Sequence, residues 1–339
     1  MIYLDRNENN YGPAPACLEV LHQAEPSTLS SYTKAYKRGV KSALSERLAN
    51  DFRIDEKQVL LGYGAEDILK QVVQCYLGPG QKLMIPAYSW WYYKAIADEV
   101  DGENLEYPLL KGDDSFHYDL NTMLQMIEEH RPQLVFVSSP NNPTGNSIEQ
   151  NDLQMLLKNL QDTIVVLDEA YWYRSENHHI IKLISEFPNL VIIRTFSKYY
   201  ALAGIRIGFA LAGKSLEKLI KLSNRYLGYS VLSEQIALAA LDSPDYYRKI
   251  AEKMDSDRHH YYTELGKIQQ LRVFKSDANF ILVEMPKPDM EPLKKKLTEK
   301  NLVIKFMNEE VLNSHMRITL GTEKENQQVI ETIKAFYGV

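Results

Sequence analysis

Residues 194–212 read RTFSKYYALAGIRIGFALA. The stretch begins at the polar end of one apolar run, VIIRTF (191–196), and closes on another, IRIGFALA (205–212), with Lys198 and Arg206 between them. Charges among apolar residues are costly unless they are paired, neutralised or carried to the surface on a long stem. Snorkelling is one reading of the two cations. A site that needs a weakly basic amine and a fixed positive charge is the other.

Further apolar runs precede this one: VLLGY (59–63), KLMIP (82–86), LVFVSS (134–139) and IVVLDE (164–169), with helical patterns between them. Short runs without alternation fit strands buried on both faces, and the intervening helices fit crossover connections in a mostly parallel sheet. After about residue 213 the pattern changes to long helical stretches, KSLEKLIKLSNRYLGY and VLSEQIALAALDSPDYYRKIAEKMDSDRHHYYTELGKI. The strand-like pieces RVFK, NFILVEMP, LVIKF and MRITLG follow, which predicts a smaller α+β domain from about residue 230 onward.

Composition sets outer bounds. The chain has 339 residues, 45% apolar and 25% charged, which is ordinary globular usage. A net charge of −6 argues against the basic footprint of a nucleic-acid binder. Two cysteines, Cys17 and Cys75, suit neither a disulfide framework nor a thiolate metal site, and point to a reducing compartment, the cytoplasm. The start MIYLDRNENNYG has no apolar signal region and no later run reaches membrane-span length, so neither export nor a membrane partner is expected. The pairs His178-His179 and His259-His260 lack ligand spacing and read as solvated surface rather than metal ligands.

Ligands of open parallel sheets bind outside the carboxyl ends of the strands. VLLGY is followed by GAED and a helical pattern, either a tight turn or a phosphate cradle of backbone N–H groups. KLMIP leads to the aromatic cluster AYSWWYY, either core or stacking platform, and LVFVSS leads to the constrained loop PNNPTG with Asn141 and Asn142. IVVLDE ends on Asp168, either a helix N-cap or a buried functional carboxylate, with Tyr171 just beyond. VIIRTFS delivers Thr195, Ser197 and Lys198. One ligand would use all of these: pyridoxal phosphate, which needs an amine for its aldehyde, a carboxylate for its ring nitrogen, donors for its phenolic oxygen, a stacking ring and an anion cradle.

In order and spacing, SSPNNPTG, VVLDEAY and TFSKYYALAGIRIG resemble the signatures of fold-type-I pyridoxal-phosphate-dependent aminotransferases. DRNENNYGPAP and MRITLGTEKEN are similar to the histidinol-phosphate aminotransferase branch, so the resemblance spans nearly the whole chain. It implies an α/β fold of type I, with a mostly parallel seven-stranded sheet between helices in the large domain and a smaller α+β domain. It divides the chain into an N-terminal arm (1–30) packing with the small domain and a dimer partner, a large cofactor domain (31–229) and a small domain (230–339).

Position by position, the resemblance implies that Lys198 binds the cofactor aldehyde and moves the substrate proton, and that Asp168 keeps the ring nitrogen protonated. Asn142 and Tyr171 would hydrogen-bond the phenolic oxygen, Tyr88 would stack, and Thr195, Ser197, Arg206 and the N–H groups of Ala65 and Glu66 would hold the phosphate. Arg317 would clamp the substrate carboxylate, the stretch Asn7 to Tyr11 would touch substrate, and Tyr32 would reach the phosphate of a neighbouring subunit in a homodimer. The expected depression of the Lys198 pKa is traced to burial and to Arg206.

Three departures bear on the substrate. Ile304-Lys305 stands where that branch commonly has Val-Arg, which keeps the charge but loses the fork at the substrate-phosphate position. The cradle reads Ala65-Glu66-Asp67 rather than Asp-then-Glu, and the run 88–93 is heavily aromatic. The resemblance therefore implies transamination between an amino acid and a 2-oxo acid. Histidinol phosphate with 2-oxoglutarate is the first expectation. An aromatic aminotransferase and a threonine-phosphate decarboxylase-like enzyme are alternatives, and a non-catalytic binding protein of the same fold is a remote one.

Overall fold

Alternate residues of the apolar runs enter two different cores. Val59, Leu61, Val135, Val137, Val165, Leu167, Leu190 and Ile192 belong to one cluster, and Leu60, Leu134, Phe136, Val166, Val191 and Ile193 to the other. Side chains alternate across a sheet, so a sheet covered on both faces has no polar side to show in its sequence. The computed structural model describes residues 1–173, 178–225 and 227–339.

The seven-stranded sheet has the order Val59–Gly62, Gly208–Ala212, Leu190–Thr195, Ile164–Asp168, Leu134–Ser138, Lys82–Pro86, Glu103–Tyr107. Gly208–Ala212 is antiparallel to both neighbours and the other pairs are parallel. The expected fold class holds. The strand Glu103–Tyr107 carries no apolar run in its sequence, because ENLEY is polar and only partly buried at the sheet edge, apart from Tyr107. The run 205–212 is shorter than expected: a single turn at Ala203–Ile205 and Arg206, in the left-handed region at φ 52°, precede the strand.

The five-stranded sheet has the order Ile2–Leu4, Leu302–Phe306, His315–Thr319, Phe280–Glu284, Arg272–Phe274. Its first strand lies parallel to Leu302–Phe306, so the N-terminal arm enters the smaller sheet. The long helical stretch expected after residue 230 breaks into Val231–Leu241 and Pro244–Leu265. Proline lacks the N–H that a continuing helix needs but suits a first turn. Ile236, Ala237, Ala240 and Tyr247 pack with the large sheet, whereas Ile250 and Met254 join Ile281, Val283, Met316 and Ile318. On core membership we propose a boundary between Tyr247 and Ile250, later than the expected residue 230.

The side chains of His178 and His179 lie outside the described residues. His260 Nε2 lies 2.9 Å from Gln327 Oε1. No helix among the described residues is long and apolar enough to cross a membrane.

Candidate active site

The strand Val59–Gly62 turns through Tyr63 and Gly64 into the helix Ala65–Tyr76. Gly64 is the N-cap, at φ 83°, and offers no side chain to the first-turn N–H groups, which leaves them for an anion. Two close approaches keep this end open. A Cβ on Gly64 would stand 2.7 Å from Arg206 Nη2, and one on Gly208 would stand 2.6 Å from the Ala65 nitrogen. Gly208 is the register partner of both Gly62 and Thr195, which brings Thr195 beside the helix start. Ser197 N donates to Thr195 Oγ1 at 3.1 Å, and the two hydroxyls lie 3.0 Å apart. Arg206, half-exposed, donates to the Tyr63 and Ala203 carbonyls at 3.3 and 3.2 Å and stands 3.7 Å from Glu66 Oε2. Ala65, Glu66, Thr195, Ser197 and Arg206 thus converge, and N–H groups, hydroxyls and a guanidinium together suit a phosphate.

Asp168 ends its strand fully buried. Its Oδ2 accepts from the Tyr93 hydroxyl at 2.6 Å and its Oδ1 from Ala170 N at 2.9 Å, with no cation among its described partners. Burial raises its pKa, opposed by those two hydrogen bonds. The contact with Ala170 closes a turn and does not cap a helix, since residues 169–173 are not helical, and the second oxygen is turned elsewhere. Alternation sends the next residue, Glu169, to the opposite side of the sheet, where it pairs with Arg194 at 2.8 Å.

Lys198, Tyr171, Asn142, Asn7 and Arg317 form one network. The Tyr171 hydroxyl accepts from Asn142 Nδ2 and Asn7 Nδ2, both at 3.1 Å. Asn142 Oδ1 accepts from Arg317 Nη1 at 2.5 Å, and Arg317 Nη2 donates to the Asp5 carbonyl. Arg317 Nε is buried without a partner. Lys198 Nζ donates to the Arg6 carbonyl at 2.8 Å and lies 5.6 Å from the Tyr171 ring centroid. Its pKa is lowered to about 8, first by burial, then by Arg317, with Glu8 opposing and Arg206 contributing least among the named groups. Burial and Arg206, the causes expected from the sequence, both contribute, and Arg317, distant in sequence, adds a larger effect than Arg206.

Asn141 Nδ2 donates to the Tyr88 carbonyl at 2.5 Å and to Thr144 Oγ1 at 2.7 Å, tying the PNNPTG loop to the segment that carries Tyr88. The Tyr88 ring meets Phe116 edge-on, with centroids 5.9 Å apart. Trp90 packs on Tyr92 and Tyr93, and Tyr93 on Phe136, so the aromatic run contributes to packing. Asn7 is anchored through its N–H to Thr319 Oγ1 at 3.0 Å and its carbonyl to Asn279 Nδ2 at 2.9 Å. The Tyr11 hydroxyl is engaged elsewhere, donating to Asp257 on the long helix at 2.6 Å. Lys305 is exposed and in register with Arg317, and Tyr32 is 69% exposed.

Sequence reasoning missed Tyr93, the Arg6 carbonyl, Gly208 and the anchoring of Asn7. Gly208 could have been suspected as the one glycine in IRIGFALA. Nothing distinguishes Tyr93 from its aromatic neighbours before the helix Tyr92–Asp98 is set against the sheet.

The chain matches the family model for aminotransferase class I and II over residues 1–333. It is 31% identical over 334 residues to histidinol-phosphate aminotransferase of Bacillus subtilis (strain 168), covering 97% of this chain and 90% of that protein. To histidinol-phosphate aminotransferase of Ruminiclostridium cellulolyticum it is 29% identical over 337 residues, covering 98% and 92%. Among solved structures, histidinol-phosphate aminotransferase from Sinorhizobium meliloti in complex with pyridoxal-5'-phosphate matches with a TM-score of 0.88 at 23% identity, covering 99% of this chain and 90% of that one.

Proposed function

We propose, for a chain that belongs to the aminotransferase class I and II family, that it moves an amino group between histidinol phosphate and 2-oxoglutarate with pyridoxal 5'-phosphate as cofactor. Aminotransfer follows from the family. The choice of histidinol phosphate rests on the names of its relatives.

The residues fit the cofactor on two counts and its substrate on a third. The helix start held open by Gly64 and Gly208 suits the cofactor phosphate, buried Asp168, with no cation among its described partners, suits the ring nitrogen, and the Nε of Arg317, with no partner among the described residues, suits a substrate carboxylate. When bound, pyridoxal 5'-phosphate supplies an aldehyde that captures amines and a protonated ring that withdraws electrons from the substrate Cα. Lys198 Nζ would hold the aldehyde, and the same amine would take the substrate Cα proton. Its lowered pKa favours the neutral nucleophile. Asp168 holds the proton on the ring nitrogen. Tyr171 and Asn142 orient the phenolic oxygen, and Tyr88 covers the ring. Thr195, Ser197, Arg206 and the N–H groups of Ala65 and Glu66 bind the phosphate.

Arg317 clamps the α-carboxylate of glutamate and 2-oxoglutarate with its fork, Asn7 and the ring of Tyr11 line the substrate side, and Lys305 meets the phosphate of histidinol phosphate. Exposed Tyr32, beside exposed Leu29 and Tyr36, supports a homodimer in which that tyrosine reaches the neighbouring cofactor phosphate. Two buried, unpaired cysteines support a cytoplasmic location.

The observation that carries the proposal is the buried network from Arg317 through Asn142 to Tyr171, with Lys198 against it. The test is to supply the purified enzyme with cofactor and 2-oxoglutarate and offer histidinol phosphate, phenylalanine, tyrosine and threonine phosphate in turn, following glutamate and carbon dioxide. Glutamate formed with histidinol phosphate and no carbon dioxide is expected. Turnover confined to the aromatic donors, or carbon dioxide from threonine phosphate, overturns the substrate assignment.

A further inference from the structure

We infer that Tyr93 is a positioning residue for the carboxylate of Asp168, fixing its orientation toward the cofactor ring nitrogen and favouring its ionised form. The inference rests on the proposed role of Asp168 and concerns a residue outside the ring-facing set.

Tyr93 is 1% exposed, one residue into the helix Tyr92–Asp98, and its ring is pinned edge-on against Phe136 with centroids 5.3 Å apart. Phe136 lies on the strand beside Asp168, whose register partner on that strand is Ser138. The phenol therefore cannot swing away from the carboxylate. A hydroxyl buried this deeply is costly without a partner, so a purely packing role would favour phenylalanine. An ionised carboxylate can only accept hydrogen bonds, so a fixed O–H donor at 2.6 Å favours the charged form. Burial works against that form, and Glu169 adds a second negative charge nearby. Tyr93 and Ala170 N oppose both effects, each at a different oxygen, and each carboxylate oxygen retains a lone pair for a further donor.

The test compares wild type, Tyr93→Phe and Asp168→Asn for binding of pyridoxal 5'-phosphate and of its deaza analogue, in which carbon replaces the ring nitrogen. Thermal unfolding checks that each variant folds. For Tyr93→Phe, the dissociation constant of the normal cofactor should rise about tenfold, the scale of one hydrogen bond to a charged group, while that of the analogue stays within about twofold of wild type. Equal losses for both cofactors would make Tyr93 a packing residue, and no loss for either would make it dispensable; each overturns the inference. Asp168→Asn separates the two levels. If it discriminates between the cofactors and Tyr93→Phe does not, only the inference about Tyr93 fails. If Asp168→Asn does not discriminate, the proposed role of Asp168 fails first and takes the inference with it.

Discussion

Lys305 and Arg317 stand directly opposite each other across the antiparallel pair Leu302–Phe306 and His315–Thr319, so both side chains leave the same face of the smaller sheet. Arg317 is buried and Lys305 exposed. Like charges opposite one another are unfavourable unless anions lie between or beside them. The two substrates of the proposed reaction carry such anions between them, the α-carboxylate of 2-oxoglutarate for Arg317 and the phosphate of histidinol phosphate for Lys305.

Lys305→Ala should raise KM for histidinol phosphate about tenfold, the scale of one charge-assisted contact, and change KM for an unphosphorylated amino donor little. Lys305→Arg should lower KM for the phosphorylated donor by restoring the fork. Steady-state kinetics with both donors check this. Equal rises for both in the alanine variant would remove Lys305 from the phosphate position.

Arg317→Lys keeps the charge but loses the two-pronged geometry and leaves Asn142 Oδ1 to find another donor. KM for 2-oxoglutarate and for every amino donor that carries an α-carboxylate should rise by about tenfold or more. An unchanged KM would place the carboxylate site elsewhere.

Gly208→Ala adds a Cβ within 2.6 Å of the Ala65 nitrogen, where backbone rather than a flexible side chain must move. The expected result is a cofactor dissociation constant raised by about tenfold or more, as overpacking costs about 1–3 kcal/mol, with phosphate-free pyridoxal affected less. Titration with the two compounds distinguishes damage to the phosphate cradle from general loss of structure.

Lys198 makes the stability of the cofactor-free chain depend on pH. Its amine has a pKa of about 8 when folded, against roughly 10.4 when unfolded. Below the lower value both states are protonated and the folded chain carries the full cost of the buried charge. Between the two values the unfolded chain binds the extra proton, so stability rises with pH, and above the higher value the cost is gone. Lys198→Met should therefore be more stable than wild type at neutral pH, with the difference shrinking from about pH 8 to pH 10. Urea unfolding across that range checks it, and a difference independent of pH would deny that Lys198 is the titrating group.

The sequence by itself determined the α/β class, the order of the buried strands and the polar residues at their ends. Apolar runs such as IVVLDE and LVFVSS can be satisfied only between two helical layers, and alternation then fixes which end residue faces which side. Asp168 was legible as a candidate because it ends a buried strand, Asn142, Tyr171 and Lys198 because each follows one within a few residues, and Arg206 because it sits just before another. Tertiary structure alone decided the contacts between segments far apart in the chain: Tyr93 on Asp168, Asn7 on Tyr171, and Arg317 rather than Arg206 as the main cation acting on Lys198. Spacing along a strand follows from local geometry, whereas burial, electrostatic distance and hydrogen-bond partners exist only once the arm, the large sheet and the smaller sheet have closed on one another.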